Sequence, residues 1–201
     1  MNAKAEQKER SHESILQSAS RLLREKGIAG ARVADVMKGA GLTVGGFYAH
    51  FASKEALVDD ALRQAAASTR QSLFANLESK PPADRAEVVL KRYLSALHRD
   101  EQLRGCSLPS VIGEVGTTAP EHTAVLAEQI EAMSAGLEEH LPAGGAVPRR
   151  YLALGLVALM VGGLSLARGL RGTPLSDDVL KACRALGKLA ARHDVNSRRS
   201  A

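Results

Sequence analysis

Tryptophan is absent from this chain of 201 residues, and three phenylalanines with three tyrosines are its whole aromatic complement. Half of these rings, Phe47, Tyr48 and Phe51, fall within five consecutive residues, which marks a small unit that needs bulky anchors. Only two cysteines occur, Cys106 and Cys183, without CxxC spacing. Neither a disulfide framework nor a zinc site is indicated, and a reducing cytoplasm is the simpler setting. The histidines at 12, 50, 98, 122, 140 and 193 are scattered, no HExxH occurs, and no glycine loop matches a phosphate or dinucleotide pattern. The expectation is therefore no metal, no cofactor and no enzyme. Cys106 and His122 can be imagined as a thiol nucleophile and its base, but nothing orients them. The N-terminus MNAKAEQKERSHE is polar and lacks the apolar core of a secretory signal.

Acidic residues are scarce at one end. Residues 1–54 hold nine lysines and arginines against five acidic residues, so this quarter of the chain carries most of the formal net charge of +5. A basic end of this kind suits a polyanion, because cations near phosphates release condensed counterions.

Long apolar runs are rare too, with one exception. Tyr151 to Ala167 contains no charged residue, and Arg149, Arg150 and Arg168 flank it. Two readings fit: a membrane-anchoring segment over 151–167, or a helix buried in a bundle, which is apolar all round for the same reason. Gly155, Gly162 and Gly163 allow close helix contact, and the bundle is the reading adopted here.

Nearly every segment carries the 3.6-residue apolar period, and none alternates as a strand. The fold class expected is all-α, with about nine helices. Ile15, Leu16, Ala19, Leu22 and Leu23 form the stripe of a first helix ending at Gly27. Val33, Val36 and Met37 repeat in a second, closed by Gly41. Thr43 can cap a third. Ser53 is the expected cap of a fourth, which Lys80-Pro81-Pro82 ends; Asp84 with Glu87 has capping-box spacing for a fifth that carries Val88, Val89, Tyr93, Leu94 and Leu97. Ser107 and Pro109 start a sixth that stops near Gly116. Thr118 with Glu121 suggests a second capping box, opening a seventh helix that ends before Pro142 and the turn Ala143-Gly144-Gly145. After the charge-free eighth, Ser176 is the expected cap of a ninth. The domains read as 1–52, a helix-turn-helix; 53–195, a helical effector-binding and dimerisation bundle; and 196–201, a disordered basic tail.

The segment RVADVMKGAGLTVGGFYAHFASKEAL, residues 32–57, joins two short helices by a sharp turn, the layout in which a second helix enters the DNA major groove. On Ala40, Gly41, Tyr48, His50, Phe51 and Lys54, followed by Leu57, it closely resembles the DNA-binding end of the TetR family of bacterial transcriptional repressors. One position departs from the family: Arg32 stands where serine or threonine usually caps the second helix and touches a phosphate. Arginine can still supply that contact as a charge. The side chains divide by chemistry. Tyr48 and Lys54 suit the sugar-phosphate backbone, and His50 suits a phosphate or the turn itself. Sequence reading falls to Thr43, Val44, Gly45 and Gly46, whose methyls can meet thymine methyls while the glycines permit close approach. Phe47 and Phe51 are read as core.

The resemblance implies more. It implies a homodimer that binds a palindromic double-stranded DNA operator, works in the cytoplasm away from any membrane, and is released by a small-molecule effector. The family pairs its last two helices into a four-helix bundle, which puts Leu156, Leu159, Met160, Gly163, Leu180, Cys183 and Leu186 at the interface. It also places an effector pocket among the middle helices, with Phe74, Tyr93, Leu97, Cys106, Val111, Glu114, Met133 and Leu137 as candidates. Cys106, two residues after Arg104 and at the start of a short helix, is alternatively a sensor of electrophiles or oxidants, since unpaired N–H groups there favour a thiolate.

Overall fold

The computed structural model of the chain describes residues 3–101, 105–142 and 147–193. Arg104, the Ala143-Gly144-Gly145 turn and the tail 196–201 lie outside the described residues. Among those described, the fold is all-helical, with no strand. In chain order the α-helices are α1 (Ala3–Gly30), α2 (Val33–Gly39), α3 (Lys54–Phe74), α4 (Arg85–Tyr93), α5 (Ala96–Asp100), α6 (Leu108–Val115), α7 (Thr123–Glu138), α8 (Arg149–Gly169) and α9 (Pro174–His193). Short 3-10 helices lie at Val44–Ala49, Pro82–Asp84 and Pro120–His122. The chain divides into two compact units, Met1–Ala67 with Cys106–Ala127, and Ser68–Gly105 with Glu128–Ala201. The boundary expected after residue 52 falls just before α3, whereas the units divide within α3, and the first also takes in α6.

The first unit is built on the predicted stripe of α1, whose Ile15, Leu16, Ala19, Leu22 and Leu23 are all buried. They share one core with Val36 and Met37 of α2, Phe47, Phe51, and Leu57, Val58, Ala61 and Leu62 of α3. The expected break at Gly27 is present. This glycine has φ +70, where a side chain would be strained, so α1 kinks there before its last turn. Val111 and Val115 of α6 and Val125 of α7 complete the core. His122, itself buried, is joined through Nδ1 to the Asp59 carboxylate at 2.7 Å and so ties the 120–122 turn to α3.

In the second unit α8 packs on α9, and α4 packs on both. Gly163 makes the close approach possible: a Cβ there would lie 2.7 Å from Cys183 Sγ and 3.1 Å from a Leu94 methyl. Tyr93, Leu90, Leu94, Met160 and Leu164 are fully buried around it. Polar ties fix the helix ends. Arg92 donates to the Leu73 and Ala75 carbonyls at 2.6 and 2.8 Å, and Arg184 donates to the Leu94 carbonyl. Glu87 of α4 accepts from Lys91 at 2.8 Å, from Lys188 of α9 at 3.0 Å and from Arg192 of α9 at 2.8 Å.

Several local expectations are corrected by this geometry. Ser53 does cap α3, accepting from Ala56 N at 3.2 Å, but α3 stops at Phe74, before the prolines. The expected fifth helix breaks at Leu94, where ψ is 50, and a new turn starts because the Ser95 hydroxyl accepts from His98 N at 3.1 Å. Asp84 and Glu87 form no capping box; both reach Arg192 instead. Thr118 does not cap α7, since Pro120, lacking an N–H, opens a separate 3-10 turn before Thr123. Ser176 lies inside α9, and its hydroxyl donates to the Ala167 carbonyl at 2.6 Å, pinning α9 to the end of α8.

Candidate nucleic-acid interface

The turn between α2 and the 3-10 helix closes as the glycine predicted. Gly41 has φ +72, its N–H donates to Lys38 O at 3.1 Å, and Leu42 N donates to Met37 O at 2.9 Å. The residues expected to form a recognition helix form a 3-10 turn, Val44–Ala49, tightened by Gly46 N to Thr43 O at 3.1 Å and His50 N to Phe47 O at 2.9 Å. Phe47 points inward and anchors this turn, its ring edge-on to Tyr48 at 5.1 Å and stacked against Phe51 at 5.9 Å. Tyr48 is left outside at 78% exposure and Val44 at 52%. Thr43, Gly45 and Ala49 are exposed beside them, while Gly46 and His50 are half-buried.

Two expected roles change. Thr43 precedes the turn in an extended conformation but makes no side-chain cap bond, which leaves its hydroxyl on the open face. Lys54 is half-buried and donates from Nζ to the Ile28 carbonyl at 3.1 Å, so its charge also holds the corner of α1. Arg32 stands before α2 without a side-chain cap bond and is exposed, as a phosphate contact requires.

The fold brings to this face two residues that sequence reasoning missed. Ala49 shares the open face with Gly45 and Tyr48, at the spacing i, i+3, i+4 that could have flagged it. His12 of α1 stacks on Phe51 at 4.6 Å and lies 5.9 Å from the His50 ring. No local signal announced that pairing, which depends on how α1 crosses α3. His50 is held neutral more strongly than an ordinary histidine, first by burial and then by His12 and Lys8, and its Nδ1 is buried with no partner.

The residues expected to line an effector pocket divide between the two units. Cys106, Val111 and Glu114 belong to the first unit; Phe74, Tyr93, Leu97, Met133 and Leu137 belong to the second. Leu97 is 72% exposed on α5, whereas Tyr93, Met133 and Leu137 are buried. Glu114 is engaged elsewhere, accepting from Ile28 N and Ala29 N at 2.8 Å each. Cys106 is 1% exposed, so a reagent has no direct path to its sulfur. The second unit does hold an open cavity of about 480 Å³, lined by Pro82, Asp84, Arg85, His140, Leu141 and Arg192 among others. The Phe74 ring stands 5.8 Å from that of His140, one of the lining residues.

The residues expected at the interface differ in burial within the single chain. Leu156, Met160, Gly163 and Leu180 are buried, Leu159 and Cys183 are half-buried, and Leu186 alone is exposed. What α8 leaves open is an uncharged stripe of Tyr151, Gly155, Ala158, Gly162 and Leu166, with Leu186 and Leu189 exposed on α9. By length and composition α8 could cross a membrane, but it is packed against α4, α5 and α9 along its other side. Among the described residues no group of His, Cys, Asp or Glu is arranged to hold a metal ion.

Comparison with known proteins agrees with this geometry. Residues 15–61, the head from α1 to α3, match the family described as bacterial regulatory proteins, tetR family. Similar curated proteins include the HTH-type transcriptional repressor KstR2 of Mycobacterium tuberculosis, 43% identical over 49 residues, which are 24% of this chain and 24% of that one. The uncharacterized HTH-type transcriptional regulator YvdT of Bacillus subtilis is 45% identical over 47 residues, 23% of this chain and 24% of its own. The match thus spans about a quarter of the length of these relatives. Solved structures extend the likeness in fold. A TetR transcriptional regulator from Chloroflexus aurantiacus superposes with a TM-score of 0.75 at 24% identity, covering 91% of this chain and 94% of that one. The reduced form of NemR from E. coli gives 0.76 at 22%, covering 89% and 95%. The head of the chain is thus similar to that of the tetR family of bacterial regulatory proteins, and the fold is that of the solved TetR-type structures.

Proposed function

We propose that the chain is a homodimeric, ligand-responsive repressor that binds a palindromic DNA operator in the cytoplasm and is released by a small-molecule effector. The observation that carries this reading is the face of the Val44–Ala49 turn. It exposes Val44 and Tyr48, which a free-standing protein would rather bury, and Arg32 and Lys38 stand exposed on the neighbouring α2. Such a face fits a major groove flanked by phosphates. Pairing is supported by the uncharged stripe on α8 and α9, and two heads spaced by about 34 Å would read the two halves of a palindrome. The cavity beside His140 is the favoured effector site. Its lining mixes apolar Pro82, Leu141 and Ala191 with Asp84, Arg85 and Arg192, which suits a small amphipathic molecule.

The test is selection of duplexes from a random library by the full chain, with light scattering of the complex. A palindromic consensus bound by two chains supports the reading. Absence of any enriched sequence, or binding by a single chain, would refute it.

A further inference from the structure

From Leu42 to Ala49 the chain has no Asn, Gln, Arg, Lys, Asp or Glu, the side chains that read bases by paired hydrogen bonds. What faces outward is a set of methyl groups on Thr43, Val44 and Ala49, the bare main chain at Gly45 and the Tyr48 ring. Nothing inside the protein requires glycine at 45. Its φ is not positive, and a Cβ built there meets no atom within 4 Å. The neighbouring Gly46 is nearly as unconstrained, its nearest atom being Met37 Cε at 3.8 Å. Glycine weakens a helical turn, so the reason for it lies in what docks against the main chain. Apart from the Thr43 hydroxyl and the main chain itself, this face offers no group that tells donors from acceptors at a base edge. It complements the one apolar group that bases present in the major groove, the C5-methyl of thymine.

We propose that this head reads its half-site chiefly through thymine methyl groups seated on Thr43, Val44 and Ala49, with Gly45 letting the main chain come close enough. The inference rests on the DNA-binding reading above and narrows its partner to duplexes with thymines at the contacted steps. The experiment uses the full chain and the duplex it selects. Each thymine is replaced by uracil, which removes the methyl and keeps the hydrogen-bonding edge. The T·A pair is then replaced by C·G or by 5-methylcytosine·G, which share an edge and differ by the methyl. At each contacted step uracil is expected to weaken binding about fourfold, the effect of exposing one CH₂-sized group, and 5-methylcytosine to bind more tightly than cytosine. Val44→Ala should keep its melting temperature, because Val44 is half exposed, and should erase the thymine–uracil difference at its own step. Gly45→Ala should fold at least as well and bind every duplex more weakly.

Equal binding of thymine and uracil duplexes, with cytosine and 5-methylcytosine equally poor, would overturn the proposal while leaving the repressor reading intact. So would a Val44→Ala protein that loses melting temperature and binding together. A chain that enriches no sequence at all would overturn both.

Discussion

The carboxylate of Glu114 occupies the space a side chain on Gly27 would need, and it accepts hydrogen bonds from the next two main-chain N–H groups, Ile28 and Ala29, at 2.8 Å each. The break in α1 leaves those donors without helical partners, and α6 supplies one. Ser110, one turn earlier on α6, donates to the Arg24 carbonyl at 2.8 Å on the other side of the break. The corner of the head is thus assembled by α6. Glu114→Ala should lose about 2 kcal/mol of stability, the scale of hydrogen bonds to a charged group. Gly27→Ala should lose about 1–3 kcal/mol through left-handed strain, with overlap against Glu114 added. Urea denaturation of both variants checks this; unchanged midpoints would show that the corner carries no stability.

Tyr48 and Lys54 should separate in a way the sequence does not suggest. Tyr48→Ala removes an exposed ring, so operator affinity should fall about tenfold on all sequences, the effect of one or two lost phosphate-side contacts, while the melting temperature holds. Lys54→Ala breaks the bond to the Ile28 carbonyl and should lower stability by about 1 kcal/mol as well as affinity. Equal melting temperatures for the two variants would contradict the division.

Glu87 predicts an acid dependence. Hydrogen bonding from Lys91, reinforced by Lys188, holds its carboxyl down from 4.5 to about 2. A carboxyl depressed in the folded state contributes fully above its unfolded pKa and loses that contribution as pH falls toward its folded one. Glu87→Gln should therefore be about 2 kcal/mol less stable at pH 7, with the difference from wild type shrinking between pH 4.5 and pH 2. Added salt should narrow it at neutral pH, since the three cations are largely exposed. Stability curves measured across this range decide it, and a gap that does not change with pH would assign the effect to packing.

Gly162 tests the pairing face. A Cβ there meets nothing in its own chain, so Gly162→Arg should fold normally and block a partner. Light scattering should then give a monomer, and operator affinity should drop roughly 100-fold as bivalent binding is lost. Gly163→Arg, one residue along, should instead unfold the unit, because Cys183 and Leu94 fill that space.

The head was legible in the sequence because its signals are local. Gly27 kinks α1 and Gly41 closes the turn after α2 through backbone conformation, and the stripe on α1 needs no knowledge of its partners. The Phe47 and Phe51 anchors were legible for the same reason. Caps were less so. Asp84, Thr118 and Ser176 have the right chemistry to begin helices, but a tertiary partner or a proline claims each position first.

The sequence by itself determined an all-helical chain with a short basic head at one end and a charge-free helix near the other, because periodicity, glycine conformation and charge are properties of neighbouring residues. Tertiary structure decided which face of that helix is core and which is open, burying Leu156, Met160 and Gly163 and leaving Gly155, Ala158 and Gly162 exposed. A helix apolar all round carries no mark of its inward side. It also gave Glu114 to the corner of α1 and left Gly45 bare at the surface. Those outcomes depend on residues 86 positions apart meeting, as Ile28 and Glu114 do, or on space left empty, and neither is written in any local pattern.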